Sequence, residues 1–133
     1  MVLIVPCLDL RETAAYASRQ LFDDLRYMLT NQHMAWFKSL YLTHPEQCLE
    51  PYASPIVAAE FGKFCPTTVI ASECDILRDE ASAFVSRLQA AGVEASYHCV
   101  AGGLHSSAGF GMAVKSGRET LRLAGEALQR LKR

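Results

Sequence analysis

Two side chains, Asp75 and His105, are of the types that together activate a hydroxyl for attack on a carbonyl. A carboxylate that accepts from one imidazole nitrogen fixes the tautomer and leaves the other nitrogen to act as a base. For this to happen the two groups must meet, and the residues between them supply the means. Thr67-Thr68-Val69-Ile70-Ala71 is a β-branched run of the kind that fits a buried parallel strand, and it ends where the polarity changes at Ser72-Glu73-Cys74-Asp75. Asp79 and Glu80 then open a helix whose acidic first turn suits the positive end of its dipole. Ala81, Phe84, Val85 and Leu88 line one face of it, and Gly92 ends it. Val93 to Val100 is expected to be a second strand, with Ala101-Gly102-Gly103-Leu104-His105 as the loop after it. Such a crossover is right-handed, so the strands run parallel and their carboxyl ends share a rim. Asp75 and His105 both sit just past those ends, where ligands gather in open α/β sheets. Two thirds of a hydrolase triad is the reading.

The third member is harder to find. Cys7 precedes both residues, but Val5-Pro6-Cys7-Leu8-Asp9 holds no glycine for a strained nucleophile turn, so Cys7 reads as a small buried thiol. Ser106 and Ser107 adjoin His105 too closely along the chain to face its reactive nitrogen, and both read as loop serines. Asp75 has a second role open to it, capping the helix that follows, and the two roles can coexist. For His105 the alternative is a loop histidine without a task; the preceding glycine pair and its place after a strand favour the functional one. Asp79 and Glu80 read as helix-start charges, with Arg78 as a nearby ion-pair partner. Five cysteines without a C-x-x-C and four histidines without an H-E-x-x-H indicate neither a metal nor a cofactor.

The elements that must carry these groups fit one domain, residues 1–133, half of them apolar. A formal charge of −1 with scattered signs argues against nucleic acid. The odd cysteine count and the lack of a secretory leader point to a reducing cytoplasm. Val2-Leu3-Ile4-Val5 is a continuous apolar strand with nothing before it to pair with, an edge that invites another chain. From Glu12 to Leu42 the pattern is helical in two blocks. Leu21, Leu25, Met28 and Leu29 form one stripe; Met34, Phe37, Leu40 and Tyr41 form the other, capped by Thr30 or Asn31. From His44 to Phe64 prolines mark a long connection. A final helix is expected over Ala113–Leu131, with a stripe of Val114, Gly117, Leu121, Ala124, Leu128 and Leu131; Gly117 would let it approach the sheet. The fold class is therefore α/β, three-layered, with about three parallel strands and packing helices.

Asp75-Ile76-Leu77-Arg78-Asp79-Glu80 followed by Leu88-Gln89-Ala90-Ala91-Gly92-Val93 resembles the acid segment of the hormone-sensitive-lipase-like branch of the α/β-hydrolases. Tyr52-Ala53-Ser54-Pro55-Ile56 resembles the segment upstream of that strand. Val5-Pro6-Cys7-Leu8-Asp9 resembles the family's Y-P-x-L-D strand end, with Val in place of Tyr. The resemblance implies a carboxylic-ester hydrolase (esterase or lipase) acting on ester or lipid small molecules, with Asp75 as triad acid and His105 as triad base. Residues 12–45 are then a cap-like helical excursion. Two departures stand out. Ser106 to Ala108 separate His105 from the Gly109-Phe110 that in the family follows the histidine directly. Neither the G-x-S-x-G nucleophile elbow nor the H-G-G-G oxyanion loop occurs in this sequence; both are expected before the first strand, on a missing N-terminal half. The chain alone is accordingly expected to be inactive. An alternative is a hydrolase remnant that acts as a binding or assembly module, with a homodimer formed through its first strand.

Overall fold

The computed structural model describes residues 1–11 and 15–130. Three strands, β1 (Val2–Ile4), β2 (Thr67–Cys74) and β3 (Ala95–Leu104), form one parallel sheet in the order β1-β2-β3. Val2, Leu3 and Ile4 pair with Thr68, Val69 and Ile70, so the apolar N-terminal run is an edge strand. It is short because Pro6, which has no N–H, follows a Val5 forced to φ 42°.

The middle strand is covered on both faces, which suits its β-branched run Thr67–Ala71. On one side Val69 and Ala71 pack against Ala81, Phe84, Val85 and Leu88 of α3 (Arg78–Ala90), together with Leu8, Ile56 and Phe61. On the other, Ile70 and Val100 meet Ala124 of α4 (Lys115–Arg130). Helix, sheet and helix make the three layers. The buried face of α4 is Gly117, Thr120, Ala124 and Ala127; of the expected stripe Gly117 and Ala124 are buried, whereas Val114, Leu121 and Leu128 are exposed. Small side chains are what allow this helix to lie close to its neighbours. Leu131 falls outside the described residues.

β3 departs from expectation at both ends. It begins at Ala95 and continues to Leu104, through what the sequence suggested was a loop. The ladder slips between Ser72↔Val100 and Cys74↔Leu104, and the glycine pair lies in the slip. Gly102 adopts φ 63°, its N–H donating to the Glu73 carboxylate at 2.7 Å. A Cβ on Gly103 would lie 2.9 Å from the Val100 carbonyl oxygen. The glycines bulge the strand instead of ending it.

The first expected helical block is not a continuous helix. It contains α1 (Ser18–Leu21), then a 3-10 turn at Leu25–Tyr27; Glu12, Thr13 and Ala14 lie outside the described residues. The Asp24 and Asp23 side chains accept from the backbone N–H groups of Arg26 and Asn31, local bonds that compete with a helix. Leu21, Leu25 and Met28 are exposed, and of that stripe only Leu29 is buried. The second block is α2 (Asn31–Tyr41), capped by Thr30, whose hydroxyl accepts from His33 N–H at 3.2 Å. Met34 packs toward Leu29, Ile76 and Leu77, whereas Phe37, Leu40 and Tyr41 are exposed. The proline-marked connection contains 3-10 turns at Pro45–Leu49, Pro55–Val57 and Phe61–Lys63. No helix of the described residues is long and apolar enough to cross a membrane.

Candidate active site

Parallel β2 and β3 deliver Asp75 and His105 to one rim, and there the two side chains touch. His105 Nδ1 lies 2.8 Å from Asp75 Oδ2. The other oxygen of the carboxylate accepts from Leu77 N–H at 3.0 Å, so Asp75 also braces the turn into α3, the second role open to it. Asp75 is 1% exposed and the His105 side chain 22%, so the acid is sealed in while the imidazole keeps an outward edge. A carboxylate can only accept, which makes Nδ1 the donor in this contact and turns Nε2 away from Asp75.

The histidine loop is held from below. Ser107 is buried, its hydroxyl accepting from Leu104 N–H at 2.8 Å and donating to Leu104 C=O at 2.7 Å. It is a structural serine, as its position suggested. Gly117 of α4 packs under this segment: an added Cβ would lie 2.4 Å from the Gly111 carbonyl oxygen and 2.7 Å from that of Ser107. The close approach that Gly117 permits is thus to the histidine loop and not, as the sequence suggested, to the sheet.

His105 opens onto a cavity of about 450 Å³ that is walled by apolar side chains, Leu10, Leu29, Met34 and Leu77 among them, and shared with α2. A cleft of that size and character suits a small organic ligand. Cys7 also lines it and is exposed there, correcting the expectation of a buried thiol. Surrounding protein desolvates its sulfur, and the Glu80 charge adds to this, pushing the thiol up to about 12. It is protonated at neutral pH and is a poor nucleophile. A second cavity, about 380 Å³, adjoins the first through Leu10, Met34 and Lys38; the groove between β3 and α4 lies apart from the histidine. Among the described residues no three His, Cys, Asp or Glu side chains are grouped as metal ligands.

Glu80 is not a solvated helix-start charge: it is 0% exposed. It accepts from Leu8 N–H at 2.7 Å, Asp9 N–H at 3.2 Å and the Arg19 guanidinium at 2.6 Å. Burial pushes its carboxyl up, and the Arg19 charge and backbone donors only partly oppose this. Beside it Asp9, also fully buried, takes two bonds from the Arg11 side chain and one from Tyr16 Oη, each 2.8 Å. Burial alone would raise Asp9, but these donors outweigh it and hold the carboxyl below its ordinary value. Asp79 behaves likewise, with Arg78 and Ser18 as its donors. The Arg78–Asp79 pair is the one anticipated. Nothing in a first-turn Glu distinguishes a solvated charge from a buried acceptor; only the distant Leu8, Asp9 and Arg19 decide it.

Comparison with known proteins agrees with this architecture. The model of the Abhydrolase_3 family, alpha/beta hydrolase fold, matches residues 1–109. An ethyl acetate hydrolase of Pseudomonas putida is 31% identical over 103 residues, covering 77% of this chain and 32% of its own. Lipase 2 of a Moraxella species is 30% identical over 95 residues, 69% of this chain and 21% of that protein. Among solved structures, an esterase from Pyrobaculum calidifontis superposes with a TM-score of 0.91 at 32% identity, covering 98% of this chain and 42% of the esterase. A thermostable carboxylesterase cloned from a metagenomic library gives 0.91 at 30% identity, covering 97% and 44%. The chain spans between about a fifth and a third of these curated relatives and about two fifths of these solved enzymes. With the fold, the strand order and the sequence likeness in agreement, the chain belongs to the Abhydrolase_3 family of α/β-hydrolases, the hormone-sensitive-lipase-like esterases.

Proposed function

We propose that this chain supplies the acid and the base of a carboxylic-ester hydrolase, Asp75 and His105 serving as two members of a Ser-His-Asp triad. The observation that carries the reading is the 2.8 Å contact between His105 Nδ1 and the buried carboxylate, at the mouth of an apolar cavity. In this role Nε2 of His105 takes the proton of an attacking serine hydroxyl and later returns it to the leaving alkoxide. Asp75 stabilises the imidazolium formed between the two steps and holds the ring in register, without itself taking the proton. The cavity walls take up the apolar part of an ester small molecule and exclude water from it.

The nucleophile elbow and oxyanion loop are absent from this sequence, so the chain by itself has no means of forming an acyl-enzyme. It is competent only beside a portion that carries them. The test is a chimera in which residues 1–133 replace the matching part of the Pyrobaculum calidifontis esterase, assayed on a short-chain nitrophenyl ester. Hydrolysis by the chimera, lost on His105→Ala, and none by the chain alone, is the expected result. A rate from the isolated chain that His105→Ala abolishes, or a chimera indifferent to His105, contradicts it.

A second reading has one observation in its favour. Among the described residues β1 pairs on one side only, and Ile4 is exposed. As a binding or assembly module the chain would extend its sheet there, with a second copy forming a homodimer. Sedimentation of the isolated chain decides this, a monomer at tens of micromolar counting against it.

A further inference from the structure

We propose that Ser18, in the cap-like excursion, is a positioning residue for the Asp75–His105 pair, acting through the turn from β2 into α3; this rests on the triad reading above. The first N–H groups of a helix need partners from outside it, and the residue at the N-cap of α3 is Leu77, whose side chain has nothing to offer. Ser18 provides the cap from elsewhere in the chain. Its hydroxyl accepts from Asp79 N–H at 3.3 Å, and its own N–H donates to Asp79 Oδ2 at 2.8 Å. This is the reciprocal exchange of a capping box, made by a residue sixty-one positions away from Asp79 instead of by a neighbour of the helix.

The same hydroxyl donates to the carbonyl oxygen of Ile76 at 2.8 Å, with Ser18 0% exposed. Ile76 lies between Asp75, which touches His105, and Leu77, whose N–H holds the other oxygen of that carboxylate. One buried hydroxyl therefore satisfies two backbone groups of the turn that orients the acid. The next residue, Arg19, ties the same helix start through Glu80 and reaches the Asp9 carbonyl. Without the Ser18 hydroxyl, the buried Ile76 C=O and the partly buried Asp79 N–H lose their partners, a condition proteins avoid. The turn relieves it by rotating toward solvent, which draws Leu77 N–H away from Asp75 and loosens the carboxylate against the imidazole.

The Nδ1 proton of His105 reports this directly, because a proton shared with a buried carboxylate resonates far downfield and exchanges slowly with water. In the nitrogen-15-labelled chain, Ser18→Ala is expected to speed that exchange about tenfold, the factor that corresponds to one buried hydrogen bond. Amide signals of β2 and α4 should be retained. Thr67→Val is the control: it removes a buried hydroxyl that donates to Cys65 C=O at 2.7 Å, at the opposite end of β2, and should leave the His105 signal alone. Where Ser18→Ala does not fold, Ser18→Cys, of similar shape with a weaker donor, is read by the same criterion. Exchange unchanged in the Ser18 variant, or accelerated as much by Thr67→Val, overturns the role of Ser18 and leaves the triad reading standing. A wild-type chain that lacks the downfield proton overturns both.

Discussion

Gly117 offers a test in which two physical effects oppose each other and the structure decides the sign. Replacing glycine by alanine inside a helix ordinarily stabilises it by about 0.5–1 kcal/mol, because less backbone entropy is lost on folding. Gly125, in the same helix, has no atom within 4 Å of where a Cβ would stand, so Gly125→Ala should show that gain. At Gly117 the new carbon would stand 2.4 Å from Gly111 O and 2.7 Å from Ser107 O. Both obstacles are backbone, fixed by the histidine loop, so neither can swing aside as a side chain would. Forcing α4 and the loop apart costs about 1–3 kcal/mol in overpacking, more than the propensity gain, and Gly117→Ala should be destabilising. Urea unfolding of the two variants, followed by circular dichroism, reads the two signs against each other. Equal stabilisation at both positions would refute the claim that α4 is wedged beneath the loop that carries His105.

Three further outcomes follow from named contacts. Glu80→Ala removes the counter-charge of the Arg19 guanidinium and strands two backbone N–H groups, and should lower the unfolding free energy by about 3–5 kcal/mol; a loss below about 1 kcal/mol means that the site is open to water. Asp9 and Asp79 titrate below the ordinary 3.8 when folded, so the stability they contribute is complete above that value and is lost as pH falls through their folded values. Acid unfolding below about pH 4 should therefore be less steep in Asp9→Asn, and an unaltered acid profile contradicts the ion pair with Arg11. Phe84→Ala opens a hole among Phe61, Phe64 and α3 at a residue 1% exposed, with an expected cost of about 3–5 kcal/mol by the same urea titration.

What was legible in the sequence is what local pattern determines. The crossover from Thr67 to Val100 is readable because a β-branched run, an amphipathic helix and a second extended segment leave one handedness for the connection. That alone places Asp75 and His105 on one rim. The resemblance through Asp75-Ile76-Leu77-Arg78-Asp79-Glu80 added the family, which the later comparisons bear out. Contacts between distant segments were not legible. Glu80 reads as an exposed charge until Arg19 is known to lie against it, and Ser18 reads as an ordinary serine until Ile76 and Asp79 arrive beside it. In α4 the expected stripe holds at Gly117 and Ala124 but fails at Leu121 and Leu128, because the close approach at Gly117 turns the smaller Thr120 and Ala127 inward in their place. In the first helical block, Asp23 and Asp24 spend their carboxylates on nearby backbone N–H groups and break a stripe that periodicity alone would extend.

The most direct test of the account is the turnover number of the esterase chimera with Asp75→Asn. An amide at this position keeps the size of the carboxylate but can present its NH₂ to Nδ1, which favours the wrong tautomer of His105. A fall in kcat of about 10⁴-fold with KM little changed is expected. A chimera that retains its kcat would show that the Asp75–His105 contact has no part in ester hydrolysis.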